Sequence, residues 1–93
     1  MTEYDPGLST DTDVEWEKYV KDNVYTLYHP VGTCAMLPKK DNGVVDPTLK
    51  VYGVENLRVV DASVIPIIIS AHIQTAVYGI AERAAELIAV EYD

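Results

Sequence analysis

Apolar residues keep a helical period at both ends of this chain. Near the start, Trp16, Tyr19 and Val20 stand at i, i+3 and i+4, among acidic Asp13, Glu15 and Glu17 and basic Lys18 and Lys21. Thr12 lies three residues before Glu15, the spacing of a capping box, in which each side chain takes a backbone N–H that the first turn leaves free. Acids early and lysines late also suit the helix dipole. The pattern predicts a helix over 13–22. Near the end, Ile73, Val77, Ile80, Ala84, Leu87 and Ile88 share one helical face, and Glu82, Arg83 and Glu86 lie opposite. Ser70 offers an N-cap oxygen, so a second helix is predicted over 71–90.

Between these helices the pattern is short and broken. Val24–Tyr28 is β-branched and aromatic and reads as extended, and Pro30 biases His29 away from the α region. Residues 37–43 are a polar loop. Residues 43–47 run extended and then turn, and 51–56 turn again. Leu57–Asp61 carries the strongest strand pattern and ends in a carboxylate. Ile65–Ile69 is strongly apolar, but Pro66 makes it a buried connection or an edge segment. Helix, short strands and closing helix predict an α+β or α/β arrangement.

Composition narrows the function. With 93 residues the chain makes one domain at most, near the size where burial only just offsets chain entropy. A formal charge of −8 argues against nucleic acid or an anionic lipid surface as partner. No stretch approaches the roughly 18 apolar residues of a membrane span. The first ten residues are acidic and polar, so no signal peptide is expected and localisation is left open. The single cysteine, Cys34, has no internal disulfide partner and reads as a small buried hydrophobe. His29, Cys34, Asp46 and His72 fit no familiar zinc spacing, so no metal site is expected. The glycines form no GxGxxG or phosphate loop.

The candidate chemistry rests on two histidines and one carboxylate. His29 and His72 stand 43 positions apart, a separation that by itself favours two unrelated residues. Histidine can nevertheless take a hydroxyl proton as a general base. His72 falls in the predicted first turn of the last helix, where free N–H groups favour an anion. Asp61, at a predicted strand end, reads either as the acceptor for a ribityl or ribose hydroxyl or as a turn former or cap.

Four motifs in order carry a resemblance: Tyr28-His29-Pro30-Val31-Gly32-Thr33-Cys34-Ala35-Met36, Gly43-Val44-Val45-Asp46, residues 51–63 from Val51-Tyr52-Gly53 to Val60-Asp61-Ala62-Ser63, and Ala71-His72-Ile73-Gln74-Thr75. Over residues 13–93 the chain resembles the C-terminal part of the glucose–methanol–choline (GMC) oxidoreductases, in the branch of glucose oxidase, glucose dehydrogenase and aryl-alcohol oxidase. That resemblance implies the C-terminal piece of an FAD-binding domain, with residues 1–28 on the substrate-domain side and 29–93 in the FAD domain. It implies His29 as the base that removes the alcohol proton and His72 as the residue that orients the hydroxyl. It implies Asp61 and Ala62 at the ribityl and pyrophosphate of FAD, and Ile73 and Gln74 at the N1–C2=O side of the flavin. The expected substrate is a primary alcohol or a sugar hydroxyl, and the expected partner is the remainder of the enzyme, which would hold the missing GxGxxG cradle. The parent enzyme is expected to be secreted. The competing expectation is a non-catalytic truncated fragment, or a small α+β domain that binds a partner through Ile65, Ile67, Ile68 and Ile69.

Overall fold

The computed structural model describes residues 5–7 and 10–93, so residues 1–4 and 8–9 of the expected 1–28 segment lie outside the described residues. Helix α1 spans Asp13–Asn23 and starts as its sequence requires. The Thr12 N–H donates to Glu15 Oε2 at 2.9 Å, and the Glu15 N–H donates to Thr12 Oγ1 at 3.4 Å. Hydrogen bonds from the Thr12 and Asp11 N–H groups and from the Thr12 hydroxyl hold the Glu15 carboxyl below its ordinary value. Ion pairs Lys18–Asp22 and Lys21–Glu17 run along the surface. α1 buries no residue, and Trp16 packs edge-on against Tyr19 with ring centroids 6.0 Å apart.

The centre of the molecule is a set of crossing loops. The run 32–36 docks on residues 63–64: the N–H groups of Gly32 and Cys34 both donate to the Ser63 carbonyl, at 3.1 and 3.0 Å, and the Met36 N–H donates to Val64 at 2.9 Å. On its other side the Val44 N–H donates to the Ala35 carbonyl at 2.9 Å. Val45 bridges in parallel to Met36 and antiparallel to Val51, and Lys50 bridges to Arg58. The strand expected over Leu57–Asp61 therefore shrinks to one bridging residue, Arg58. Asn56 before it is left-handed (φ 59°), and Asp61 after it already starts a turn, so too little extended chain remains for a ladder.

Two short 3-10 helices punctuate these loops, at Lys39–Asp41 and Ala62–Val64. The first ends on left-handed Asn42 and returns the chain to Leu37. A Cβ on Gly43 would lie 1.8 Å from the Leu37 carbonyl oxygen, so the loop closes only on glycine. In the next turn Asp46 Oδ1 accepts the Thr48 N–H at 2.7 Å, the Thr48 hydroxyl at 2.6 Å and the Lys50 N–H at 3.2 Å. Val45, Leu49, Val64 and Ala84 form the core, with Met36, Val44, Val51, Val59 and Ile80 against it. Val45 and Val64 are wholly buried, and each such side chain contributes about 1.5–3 kcal/mol.

Helix α2 spans Gln74–Tyr92 and brings Ala84 to that core. It starts later than expected. Ile73 is its N-cap, in αR geometry, and Val77 N–H to Ile73 carbonyl is its first bond (3.0 Å). A capping oxygen reaches only the next turn's N–H groups, so Ser70 is too far upstream and does not cap the helix. At the other end Glu91 pairs with Lys50 at 2.7 Å and with Arg58, tying the last turn to the bridged loops.

The result is a slab of 62 × 30 × 15 Å with a radius of gyration of 19.9 Å, where a compact chain of this length has about 12 Å. Ile65 is buried, whereas Ile67, Ile68 and Ile69 are exposed. Apolar surface this contiguous is normally covered by further protein. No helix among the described residues is long and apolar enough to cross a membrane.

Candidate active site

His29 is presented by a short bent segment. The Tyr28 N–H donates to Thr26 Oγ1 at 3.0 Å, and Tyr28 is left-handed at φ 57°. Pro30 follows His29 and holds it out of the α region. His72 comes from the bend ahead of α2, just before the N-cap Ile73 rather than inside the first turn.

The fold closes the 43-residue gap between them. His29 Nε2 lies 3.1 Å from His72 Nδ1, with ring centroids 5.3 Å apart and planes inclined at 56°. One of these nitrogens carries the hydrogen and the other accepts it, so the tautomer of each ring fixes that of the other. The expectation of two unrelated histidines fails, because backbone bonds between 32–36 and 63–64 bring their segments together. A cavity of about 370 Å³ opens at the pair, lined by both imidazoles and by Leu27, Ile68, Ile69, Ser70 and Ala71. A neighbouring cavity of about 560 Å³ shares Leu27, His29 and Ile68 and reaches Thr26, Tyr28 and Pro30. The cavity wall is largely aliphatic, with the two imidazoles as its convergent polar groups.

Asp61 takes the capping alternative. It is the N-cap of Ala62–Val64, and its Oδ1 accepts the Ser63 N–H at 2.8 Å and the Ser63 hydroxyl. The Ser63 hydroxyl, then the Ser63 N–H, hold the Asp61 carboxyl below its ordinary value. Ala62 closes the same turn by accepting the Ile65 N–H at 3.2 Å. Among the described residues no hydrogen bond joins Asp61 to either histidine. The adjoining Ser63 carbonyl is the acceptor that fastens the His29 segment, so both parts hang from one turn.

Ile73 and Gln74 are the N-cap and first residue of α2, and no side chain caps them. The first-turn N–H groups are thus open to an outside acceptor. Cys34 is free and half-buried. Sequence patterns did not single out Thr26 or the left-handed Tyr28. The only signal was a threonine two residues ahead of the bend, which can close such a turn.

The fold is that of a flavin-enzyme segment. It superposes on an FAD-dependent oxidoreductase from Chaetomium thermophilum with a TM-score of 0.88 and 36% identity, covering 98% of this chain and 16% of that one. The chain belongs to the GMC oxidoreductases, whose C-terminal family model, described as GMC oxidoreductase, matches residues 2–81. It is 55% identical over 83 residues to the GMC oxidoreductase family protein Mala s 12 of Malassezia sympodialis, covering 89% of this chain and 13% of the relative. It is 42% identical over 89 residues to a glucose oxidase of Aspergillus carbonarius, covering 96% and 14%. The resemblance carried by the four motifs is borne out, and the chain spans only a small part of the length of these relatives.

Proposed function

We propose that this chain is the C-terminal portion of an FAD-dependent oxidoreductase that oxidises a primary alcohol or a sugar hydroxyl. In this reading residues 1–28 belong to the substrate-domain side and 29–93 to the FAD domain. The observation that carries it is the hydrogen-bonded pair His29–His72 at the edge of an aliphatic cavity.

The residues present fit FAD in part. The uncapped α2 N-terminus at Ile73 and Gln74 suits the electron-rich edge of a flavin, since free N–H groups and the helix dipole favour negative charge. Asp61 and Ala62 form the turn that would meet the ribityl and pyrophosphate region. No glycine-rich loop in the chain could cradle the pyrophosphate, so the remainder of the enzyme supplies that cradle. When bound, FAD supplies the hydride acceptor.

His29 acts as general base: its unprotonated nitrogen takes the substrate O–H proton, which typically contributes about 10²–10⁴-fold. His72 donates a hydrogen bond to the same oxygen, orienting the hydroxyl and holding negative charge as the proton leaves. Leu27, Ile68 and Ile69 line the same cavity but are exposed in this chain, so water is excluded from the pair only once the remainder of the enzyme covers them, which would strengthen both interactions.

The test is anaerobic mixing of the enzyme that contains this chain with primary alcohols and sugars. Flavin bleaching by at least one of them is expected, slowed about 10²–10⁴-fold in His29→Ala. Absence of bleaching with the whole set overturns the proposal.

A further inference from the structure

We propose that Glu91 is a carboxylate latch: it holds closed the Lys50–Arg58 bridge, whose two cations repel each other, and so locks the last turn of α2 to the central loops. Lys50 and Arg58 stand directly opposite each other in an antiparallel bridge. The bonds that frame it belong to their neighbours, Val51 N–H to the Leu57 carbonyl at 2.9 Å and Val59 N–H to the Leu49 carbonyl at 3.1 Å. That pattern marks the narrow, non-hydrogen-bonded kind of pair, with Cα atoms about 4.5 Å apart and both side chains on one face. Like charges in that position push a bridge apart. Arg58 is not free to swing away: its side chain is 14% exposed, and its Nε–H donates to the Thr48 carbonyl at 3.1 Å.

Glu91 meets both charges at once. Its Oε1 accepts from Lys50 Nζ at 2.7 Å, and its Oε2 accepts from the Arg58 guanidinium. Among the described residues no other carboxylate lies within ion-pair distance of either cation. Hydrogen bonds from Lys50, then Arg58, hold the Glu91 carboxyl below its ordinary value, as expected of an acid set between two cations. Exposed ion pairs usually contribute little. This one differs because its loss leaves a repulsion behind and not merely a missing attraction. α2 begins just after His72, and the chain runs from Arg58 to the Ser63 carbonyl that anchors the His29 segment. The latch therefore fastens the helix that follows His72 to the segment that anchors His29.

The experiment is amide hydrogen exchange at one pH and low salt on the complete enzyme, comparing wild type, Glu91→Gln, Lys50→Met and the Lys50→Met/Glu91→Gln double variant. In Glu91→Gln the Val51 and Val59 amides and the last turn of α2 should exchange roughly tenfold faster. Lys50→Met removes the repulsion and keeps the Arg58–Glu91 pair, so it should change exchange by less than about threefold. In the double variant the Val51 and Val59 amides should return to within about threefold of wild type, while the last turn of α2 stays fast. The proposal is overturned if Glu91→Gln leaves the Val51 and Val59 amides unchanged. It is also overturned if they exchange as fast in the double variant as in Glu91→Gln, since Glu91 would then act by attraction alone. Should Glu91→Gln fail to fold, recovery of folded enzyme in the double variant supports the latch and a second failure overturns it. None of these readouts involves turnover, so they decide the latch whatever the enzyme oxidises.

Discussion

His29 Nε2 and His72 Nδ1 lie 3.1 Å apart, so a single hydrogen serves both rings. Two imidazoles in that contact act as a unit, and removing either leaves the other without its partner. His29→Ala in the complete enzyme is expected to cut kcat by about 10²–10⁴-fold with a smaller change in KM. His72→Ala should lower kcat/KM too, and the double variant should lose less than the product of the single losses. Steady-state kinetics of all three variants check this. Fully multiplicative losses would mean that the rings work independently.

The chain by itself should bind FAD weakly. It has no glycine-rich dinucleotide loop, and Ile67, Ile68 and Ile69 are exposed. Titration of the purified 93-residue chain, followed by flavin fluorescence, should give no tight stoichiometric complex. A one-to-one complex of submicromolar affinity would show that the cradle is not needed.

Gly43→Ala should destabilise the enzyme by about 2–4 kcal/mol, the range of a steric clash with backbone that cannot withdraw. The new Cβ would lie 1.8 Å from the Leu37 oxygen and 2.4 Å from its carbonyl carbon. Denaturant unfolding measures the loss. An unchanged midpoint would mean that the 37–43 loop opens freely.

The Asp46 turn should loosen in acid. Partial burial pushes the Asp46 carboxyl up, but bonds from the Thr48 hydroxyl, the Thr48 N–H and the Lys50 N–H, with the Lys50 charge, outweigh it and hold the group below its ordinary value. A depressed folded value means that the stabilisation is complete above the unfolded value, about 3.9. It is lost as pH falls through the lower folded value. The Thr48 and Lys50 amide shifts should therefore hold steady down to about pH 4 and move below it. Asp46→Asn should abolish that acid step. An acid step that survives Asp46→Asn would assign it to another carboxylate.

A charge introduced at the start of α2 tests the placement of its N-terminus. Gln74 is the first helical residue and no side chain caps the turn. Gln74→Glu brings a negative charge to the proposed flavin edge, so the flavin midpoint potential should fall. Spectroelectrochemical titration of the two proteins decides it. An unchanged or higher potential would place the helix start elsewhere.

Several features were legible in the order of residues because they depend on neighbours within a few positions. The Thr12–Glu15 capping box is one, since both partners lie in the same turn. The apolar face that brings Ala84 to the core is another, because helical period survives whatever it packs against. The four motifs sufficed to identify the family. Asp61 was legible only as two alternatives, a hydroxyl acceptor or a cap. Its bonds to Ser63 establish the cap, and its part in holding FAD stays a proposal.

Tertiary structure decided the rest. The meeting of His29 and His72 depends on the Gly32 and Cys34 N–H groups converging on the Ser63 carbonyl, a long-range pairing with no local signature. The same crossing loops reduce the expected 57–61 strand to the Arg58 bridge. The bend that carries His72 delays α2 to Gln74, although Ser70 looks like a cap in isolation. Tyr28 adopts a left-handed conformation that a tyrosine does not choose locally. In each case interactions between distant segments outweigh a local preference worth about 1–2 kcal/mol or less, and only the folded chain brings those segments together.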